Sequence, residues 1–324
     1  MQYFENPLHI LNIFIEYGKI RFFSKKKAKK ITVIYDYSCS PPTYGDFLVV
    51  VLMARFFYFK KFKINFILIN SSFRDDWNLI SEESKKQLLS DHQKLIMLLM
   101  ENKVSLIKLS WNEFFEKCKS PDFNSSNILF KNRVFRRKEI YSQAINFTNL
   151  LMYNQKNKFI TNYLLNTNNN PFNKYSINLK VPYITVHFRY STIYSINRNI
   201  SEKDFVYYIK MLSNKFGDMK IILLSDNQGC EYYKKIALKN KFNILFSNTY
   251  SKSFLGDCSL ILNSNFYFQY KGGGIGIIPM YSNVPYEISS CFSTERMVNK
   301  NHLLSWQQRN QTTVNLFNED QLNV

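Results

Sequence analysis

Three short stretches in the second half of this 324-residue chain carry side chains suited to an anionic substrate. His187-Phe188-Arg189 sets an imidazole and a guanidinium two residues apart. Along a strand, that spacing puts both on one side. Arg presents a planar fork of donors that fits a diphosphate and can stabilise charge growing on a leaving phosphate. The same pair also suits an ordinary surface ion pair. Ser225-Asp226-Asn227 offers short polar groups that bind a base or ribose, or cap the next helix. Gly272-Gly273-Gly274-Ile275-Gly276 lets the backbone approach a phosphate, at what reads as a helix start that attracts anions. It is neither GxGxxG nor a Walker loop, since no Lys-Ser/Thr follows Gly276. A tight turn without a ligand is its plainer reading. Lys271 just before it, and Ser264 and Asn265 upstream, add donors.

The first half has one comparable loop, Ser40-Pro41-Pro42-Thr43-Tyr44-Gly45-Asp46. Asp46 is placed to cap a helix or to act as a base, and Asp36 is a second candidate base. A base must lie within hydrogen-bond reach of the hydroxyl it activates. Tyr44 and Gly45 are candidate substrate contacts, and a structural βα loop is the alternative reading.

The elements that position these residues read from hydrophobic period and turn chemistry. Strands are expected at 31–35, 63–69, 104–109 and 127–130, with helices at 46–58, 81–101, 111–117 and 138–153. The Asn-rich stretch 166–178, with Pro171, reads as the linker. A second series follows: strands at 183–188, 219–225, 242–246, 265–269 and 284–288, helices at 201–216, 229–239, 254–262 and 272–281, and a mostly helical tail at 302–324. The expected domains are 1–165 for an acceptor and 175–300 for a nucleotide-sugar, with 301–324 packing back on the first. Alternating β and α elements imply doubly wound parallel sheets, which bind ligands outside the carboxyl ends of their strands.

Composition bounds the rest. Apolar residues at 45% and charged residues at 21% are those of a globular chain with real cores. Lys and Arg total 43 against 24 Asp and Glu, a net charge of +19, which favours nucleic acid, an anionic membrane or a phosphorylated small molecule. A chain rich in Lys, Asn, Ile, Phe and Tyr also gains charge through codon bias alone. The basic clusters at 25–30 and 133–138 match no nucleic-acid motif, so no nucleic acid is expected as partner. Five scattered cysteines give neither a disulfide framework nor zinc spacing. No signal peptide is read at the start, so a cytoplasmic protein is expected; residues 8–23 read first as a packed helix, and otherwise as an interfacial helix giving peripheral contact with the inner membrane face.

The order of the pieces over 182–286 resembles the C-terminal half of GT-B glycosyltransferases, in particular the fucosyltransferase-like superfamily. That resemblance implies two Rossmann-like domains facing across a cleft. It implies an HxR-type motif holding the donor diphosphate, a strand end near the nucleotide, and a Ser- or Gly-rich helix start completing the pocket. Arg189, Asp226 and residues 264–276 stand at those positions. Tyr190-Ser191 follows Arg189 where a second Arg or Gly-Asp is usual, and Asn227 replaces a second acidic residue. The implied activity is an inverting, metal-independent transfer from a nucleotide-diphosphate sugar such as GDP-fucose to a glycan or lipid-linked acceptor in surface-polysaccharide synthesis. The nucleotide-sugar is then a substrate and no cofactor is needed. A GT-B-shaped sugar-nucleotide epimerase and a basic nucleic-acid-binding protein are the alternatives.

Overall fold

The computed structural model describes residues 30–38, 40–59, 61–119, 127–129, 165–177, 179–192, 196, 199–271 and 273–289. The expected segments 8–23, 138–153 and 302–324, the cluster 133–138, Lys25 to Lys29 and Gly272 lie outside them. Contacts divide the chain into two compact units, Met1–Phe159 and Ile160–Val324. No helix among the described residues is long and apolar enough to cross a membrane.

The first unit holds four parallel strands, β1 (Lys30–Asp36), β2 (Lys63–Ile69), β3 (Ser105–Leu109) and β4 (Asn127–Leu129), in the order β3-β2-β1-β4. Residues 31–36 of β1 are all buried, as expected of a parallel strand covered on both faces. Helices α1 (Tyr44–Phe59), α2 (Glu82–Leu99) and α3 (Trp111–Cys118) follow β1, β2 and β3. Ser81 caps α2 by accepting from the Ser84 amide, and Ser110 with Glu113 forms a full capping box on α3. Arg55, which interrupts the longest apolar run of the sequence, is buried and donates to the Leu99 carbonyl at the end of α2. That carbonyl has no partner within its own helix, and the negative end of the helix dipole suits a cation there.

Against α1 and the end of β1 lie Asp91 and His92 of α2, both fully buried. The Asp91 carboxylate accepts from Tyr44 Oη at 2.9 Å, Gln87 Nε2 at 2.9 Å and Lys94 Nζ at 3.4 Å. The His92 ring stacks on Phe47 with centroids 3.7 Å apart, and its Nδ1 lies 3.2 Å from Tyr37 Oη. Burial drives its pKa down to about 3, with the Thr43 backbone opposing. In the unfolded chain the imidazole protonates near its ordinary value of about 6.5. The folded form takes up that proton only near 3, so stability is whole above about 6.5 and is lost as pH falls through this window. His92→Phe is expected to flatten the acid limb of thermal stability between pH 6.5 and 4. Parallel limbs for the two proteins would contradict this burial account.

The second unit holds five parallel strands, β5 (Tyr183–Phe188), β6 (Lys220–Leu224), β7 (Leu245–Phe246), β8 (Phe266–Tyr270) and β9 (Tyr286–Ser289), in the order β7-β6-β5-β8-β9. The order turns back at β5, so the crevice of this sheet opens between the carboxyl ends of β5 and β8. Its helices are α4 (Glu202–Phe216), α5 (Asn227–Lys239), α6 (Ser247–Tyr250), α7 (Phe254–Leu262) and α8 (Ile277–Met280). Ile184, Val186 and Phe188 of β5 pack with Phe205, Ile209 and Tyr233 of α4 and α5 in one core. Both units are therefore Rossmann-like α/β layers, as expected.

Two elements differ from the sequence reading. The Asn-rich stretch is no free linker: Asn170 donates to the Ser259 carbonyl and to Asn263 Oδ1, the Leu165 amide donates to Tyr281, and Ser176 pairs with Ser251. Its amide side chains satisfy groups of the second unit, which places residues 165–177 within it. The glycine-rich run does not open a long helix. A 3-10 turn, Gly274–Gly276, leads into the four-residue α8, where Pro279 has no N–H to extend the ladder.

Candidate active site at the carboxyl edge of the second sheet

His187 is the penultimate residue of β5 and Arg189 follows its end, so both stand at the carboxyl edge. His187 Nδ1 lies 3.0 Å from the Leu224 carbonyl, the last residue of β6. A carbonyl only accepts, so Nδ1 carries the proton and Nε2 is the acceptor nitrogen. The Nε2 edge of the ring faces Gly273. A Cβ at that position would stand 2.3 Å from His187 Nε2, and Gly273 has φ +153. A side chain there would need both a rare backbone conformation and the space the imidazole fills. The glycine thus lets the β8 loop close on His187.

Lys271 follows β8 directly, has φ +61, and reaches the Asn199 carbonyl at 3.5 Å. Asn199 exchanges two hydrogen bonds with the backbone of Ser191, at 2.9 and 2.8 Å, and so fixes the start of the chain after Arg189. Tyr233 Oη of α5 donates to the Arg189 carbonyl at 3.0 Å. Burial raises the Tyr233 phenol, with Tyr232 and Tyr190 adding to the rise and the Arg189 charge opposing it. Gly274 is exposed, Ile275 is buried, and Gly276 lies against Gln269, whose Oε1 would be 2.5 Å from any Cβ there. The short α8 removes the helix-dipole part of the expected anion site. What remains is the close approach of the Gly273 backbone to His187, with Arg189 and Lys271 directly following the two strands that border the crevice.

Ser225, Asp226 and Asn227 end β6 and start α5. Asp226 is the N-cap of α5, its Oδ1 accepting from the Gly229 amide at 2.7 Å. Ser225 Oγ fills the space over Gly229, 1.9 Å from where a Cβ would stand. The capping alternative for Asp226 is therefore seen directly, at the carboxyl edge of the sheet one strand away from the crevice.

Ser264 and Asn265 do not join this group. They precede β8, and the six or seven steps to Lys271 at about 3.3 Å each set them roughly 20 Å away from it, at the amino edge. Their polar groups start the strand pairing. Thr185 Oγ1 donates to Ser264 Oγ at 3.1 Å, Ser264 Oγ donates to the Ile261 carbonyl at 2.7 Å, and Asn265 Oδ1 accepts from the Tyr183 amide at 3.2 Å. With Thr167, Asn263 and Asn283 they border an open depression of about 490 Å³ on that edge.

In the first unit, the expected loop stands at the carboxyl end of β1. The Asp36 carboxylate is buried and accepts from the Ser38 amide at 2.9 Å and from Ser38 Oγ at 2.8 Å. Asp46 is buried in the first turn of α1 and accepts from Thr43 Oγ1 at 3.0 Å. Tyr44 is held by Asp91, and Gly45 lies in the same turn. Among the described residues no group of three or more His, Cys, Asp or Glu could hold a metal ion.

The helix that begins near Asp257 is one of the pieces of the GT-B-like order, but sequence reasoning gave Asp257 no role and did not bring it together with Ser251 and with Ser247, which follows β7, beside Ser225. Nothing in their spacing marks this cluster, because its members come together only through strand order. Asp91, which holds Tyr44, was missed for the same reason.

No protein-family model matches the chain, and no curated protein sequence matches it. Among solved structures, the chain is similar to the heptosyltransferase WaaC of E. coli with ADP-2-deoxy-2-fluoro heptose, at 12% identity and TM-score 0.42 over 81% of this chain and 88% of that one. A family 9 glycosyl transferase from Veillonella parvula gives 8% identity and TM-score 0.42 over 81% and 80%. A UDP-GlcNAc 2-epimerase from Neisseria meningitidis bound to UDP-GlcNAc gives 11% identity and TM-score 0.34 over 87% and 89%. With overlaps this loose, function is read from the residues.

The contact of His187 with Gly273 is open to a direct check. Gly273→Ala is expected to cost about 1–3 kcal/mol of unfolding free energy, the usual size of strain at such a backbone position. Urea titration measures it, and an unchanged midpoint would mean that the imidazole is not confined.

Proposed function

We propose that the protein is a glycosyltransferase of the GT-B type, moving a sugar from a nucleotide-diphosphate donor to a glycan or lipid-linked acceptor in surface-polysaccharide synthesis. The observation that carries this reading is the closure of the Gly273 loop on His187 at the crevice of the second sheet, with Arg189 and Lys271 on its two strands. A diphosphate needs close backbone approach and cationic donors, and this edge supplies both.

In this reading Arg189 and Lys271 neutralise the diphosphate and stabilise the charge that grows on the leaving phosphate, the part a metal plays elsewhere. The backbone N–H groups of residues 273–275 complete the cradle, and His187 confines that loop through its contact with Gly273. Ser225, Asp226 and Asn227 meet the nucleoside, Asp226 through the oxygen not needed for its cap. The first unit takes the acceptor. Asp36 and Asp46, both at the carboxyl end of β1, are the two candidate bases. Inversion at the sugar follows if one base deprotonates the acceptor hydroxyl as it attacks from the face opposite the diphosphate. Basic residues at the surface suit an acceptor carried on an anionic membrane.

A thermal-shift panel of UDP-, GDP-, ADP- and CMP-sugars, GDP-fucose included, tests the donor half. Binding of one sugar nucleotide raises Tm as RT ln(1 + [L]/Kd). Arg189→Ala is expected to weaken that ligand by about 1.5–3 kcal/mol, or roughly ten- to hundredfold. Unchanged affinity in the variant would overturn the role of Arg189, and a flat panel would overturn the donor reading. Turnover of the donor with no acceptor present would favour an epimerase instead.

A further inference from the structure

The ends of β6 and β7 are joined by a chain of hydroxyls that ends on Asp257. Ser251 Oγ lies 2.6 Å from Asp257 Oδ1 and 3.1 Å from the Ser253 carbonyl. A serine hydroxyl has one proton to give, and an ionised carboxylate and a carbonyl both only accept. The two contacts are satisfied together when Asp257 keeps its own proton. Asp257 then donates to Ser251 Oγ, and Ser251 donates to the Ser253 carbonyl. Ser253 is the N-cap of α7, and its carbonyl also accepts the Asp257 amide at 3.1 Å.

Ser247 extends the chain to the end of β6. Its carbonyl accepts the Ser251 amide at 2.7 Å, and its hydroxyl accepts from the Ser225 amide at 3.4 Å and lies 3.3 Å from the Ser225 carbonyl. The other titratable groups beside Asp257 are Asp226, the cap of α5, and the Cys230 thiol one turn further along that helix. Asp226 is an anion facing the same corner. Ionising Asp257 therefore places two like charges across the gap between β6 and β7 and takes the Ser251 proton away from Ser253.

We propose that Asp257 is a positioning residue held as the neutral acid, which ties the ends of β6 and β7 together through Ser247 and Ser251 and shapes the Ser225–Asn227 corner, so that its ionisation loosens the corner and weakens donor binding. The effect on the corner stands on the geometry alone; the effect on the donor rests on the reading of Ser225 to Asn227 as its nucleoside contacts. Burial pushes the Asp257 carboxyl up to about 7, the serine hydroxyls pull it down in part, and Asp226 adds to the rise. Between about 4 and about 7 the folded protein keeps a proton that the unfolded chain has lost. The contribution of Asp257 to stability therefore falls as pH rises through that window and levels off above it.

Asp257→Asn, which mimics the neutral acid in shape, separates these effects, with Ser251→Ala as a second variant. Tm and the affinity of the tightest-binding sugar nucleotide from the panel are measured from pH 5.5 to 8.5. The wild type is expected to lose affinity severalfold as pH passes through about 7, while its Tm profile sums the loss from Asp257 and the opposite gain from His92. Asp257→Asn keeps the low-pH affinity throughout, and its Tm advantage over wild type grows with pH. Ser251→Ala, which cuts the tie while leaving the acid in place, is expected to lose affinity at low pH as well, where Asp257 is neutral. Parallel Tm profiles for wild type and Asp257→Asn would overturn the neutral-acid assignment. Diverging Tm profiles with parallel affinity profiles would overturn the link to the donor while leaving the donor reading intact. No binding at any pH, with Tm still diverging, would overturn the donor reading and that link together.

Discussion

The His187 imidazole is held between two backbones. The Leu224 carbonyl fixes its Nδ1 proton from one side, and Gly273 closes on Nε2 from the other. Three strands have to end in register for this to happen. β6 brings the carbonyl, β5 brings the ring, and β8 brings a residue with no side chain. The pairings His187–Leu224 and His187–Gln269 set that register along both sides of β5. A slip of one residue would turn His187 into the core and send Phe188, now fully buried against Phe205 and Phe268, to the crevice. The site is therefore specified by the same hydrophobic alternation that builds the core.

The two units handle buried polarity differently. Around α1 and α2 the first unit encloses Asp91 and His92, one satisfied by three donors and the other kept neutral by burial. These groups hold Tyr44 and Phe47 and so give the β1–α1 loop a fixed shape. In the second unit polarity gathers at the strand ends, where Asp226 serves as cap and Asp257 is raised towards neutrality. Polar groups at a sheet edge stay within reach of a ligand; those beneath a helix do not.

The strands were legible in the sequence because parallel strands are buried on both faces and read as continuous apolar runs such as Ile31 to Tyr35. The caps Ser81 and Ser201 were legible because capping is a local matter. The Asn-rich stretch misled because composition reports polarity and not partners, and its amides are spent on Ser259 and Asn263. Ser264 and Asn265 misled because they are close in sequence to the glycine run, while a whole strand separates them in space. Asp257 and Asp91 gave no local signal, since their roles arise from residues six to 47 positions away.

In the proposed reading, part of the net charge of +19 serves the donor diphosphate through Arg189 and Lys271, which follow the two strands bordering the crevice. Hydrogen–deuterium exchange with and without the tightest-binding sugar nucleotide tests this most directly, because protection reports where the backbone is held. The account predicts new protection in 187–191, 225–229 and 271–276, with 263–265 unchanged. Protection centred on 263–265 and 283–285 at the amino edge, or none in the second unit, would contradict it.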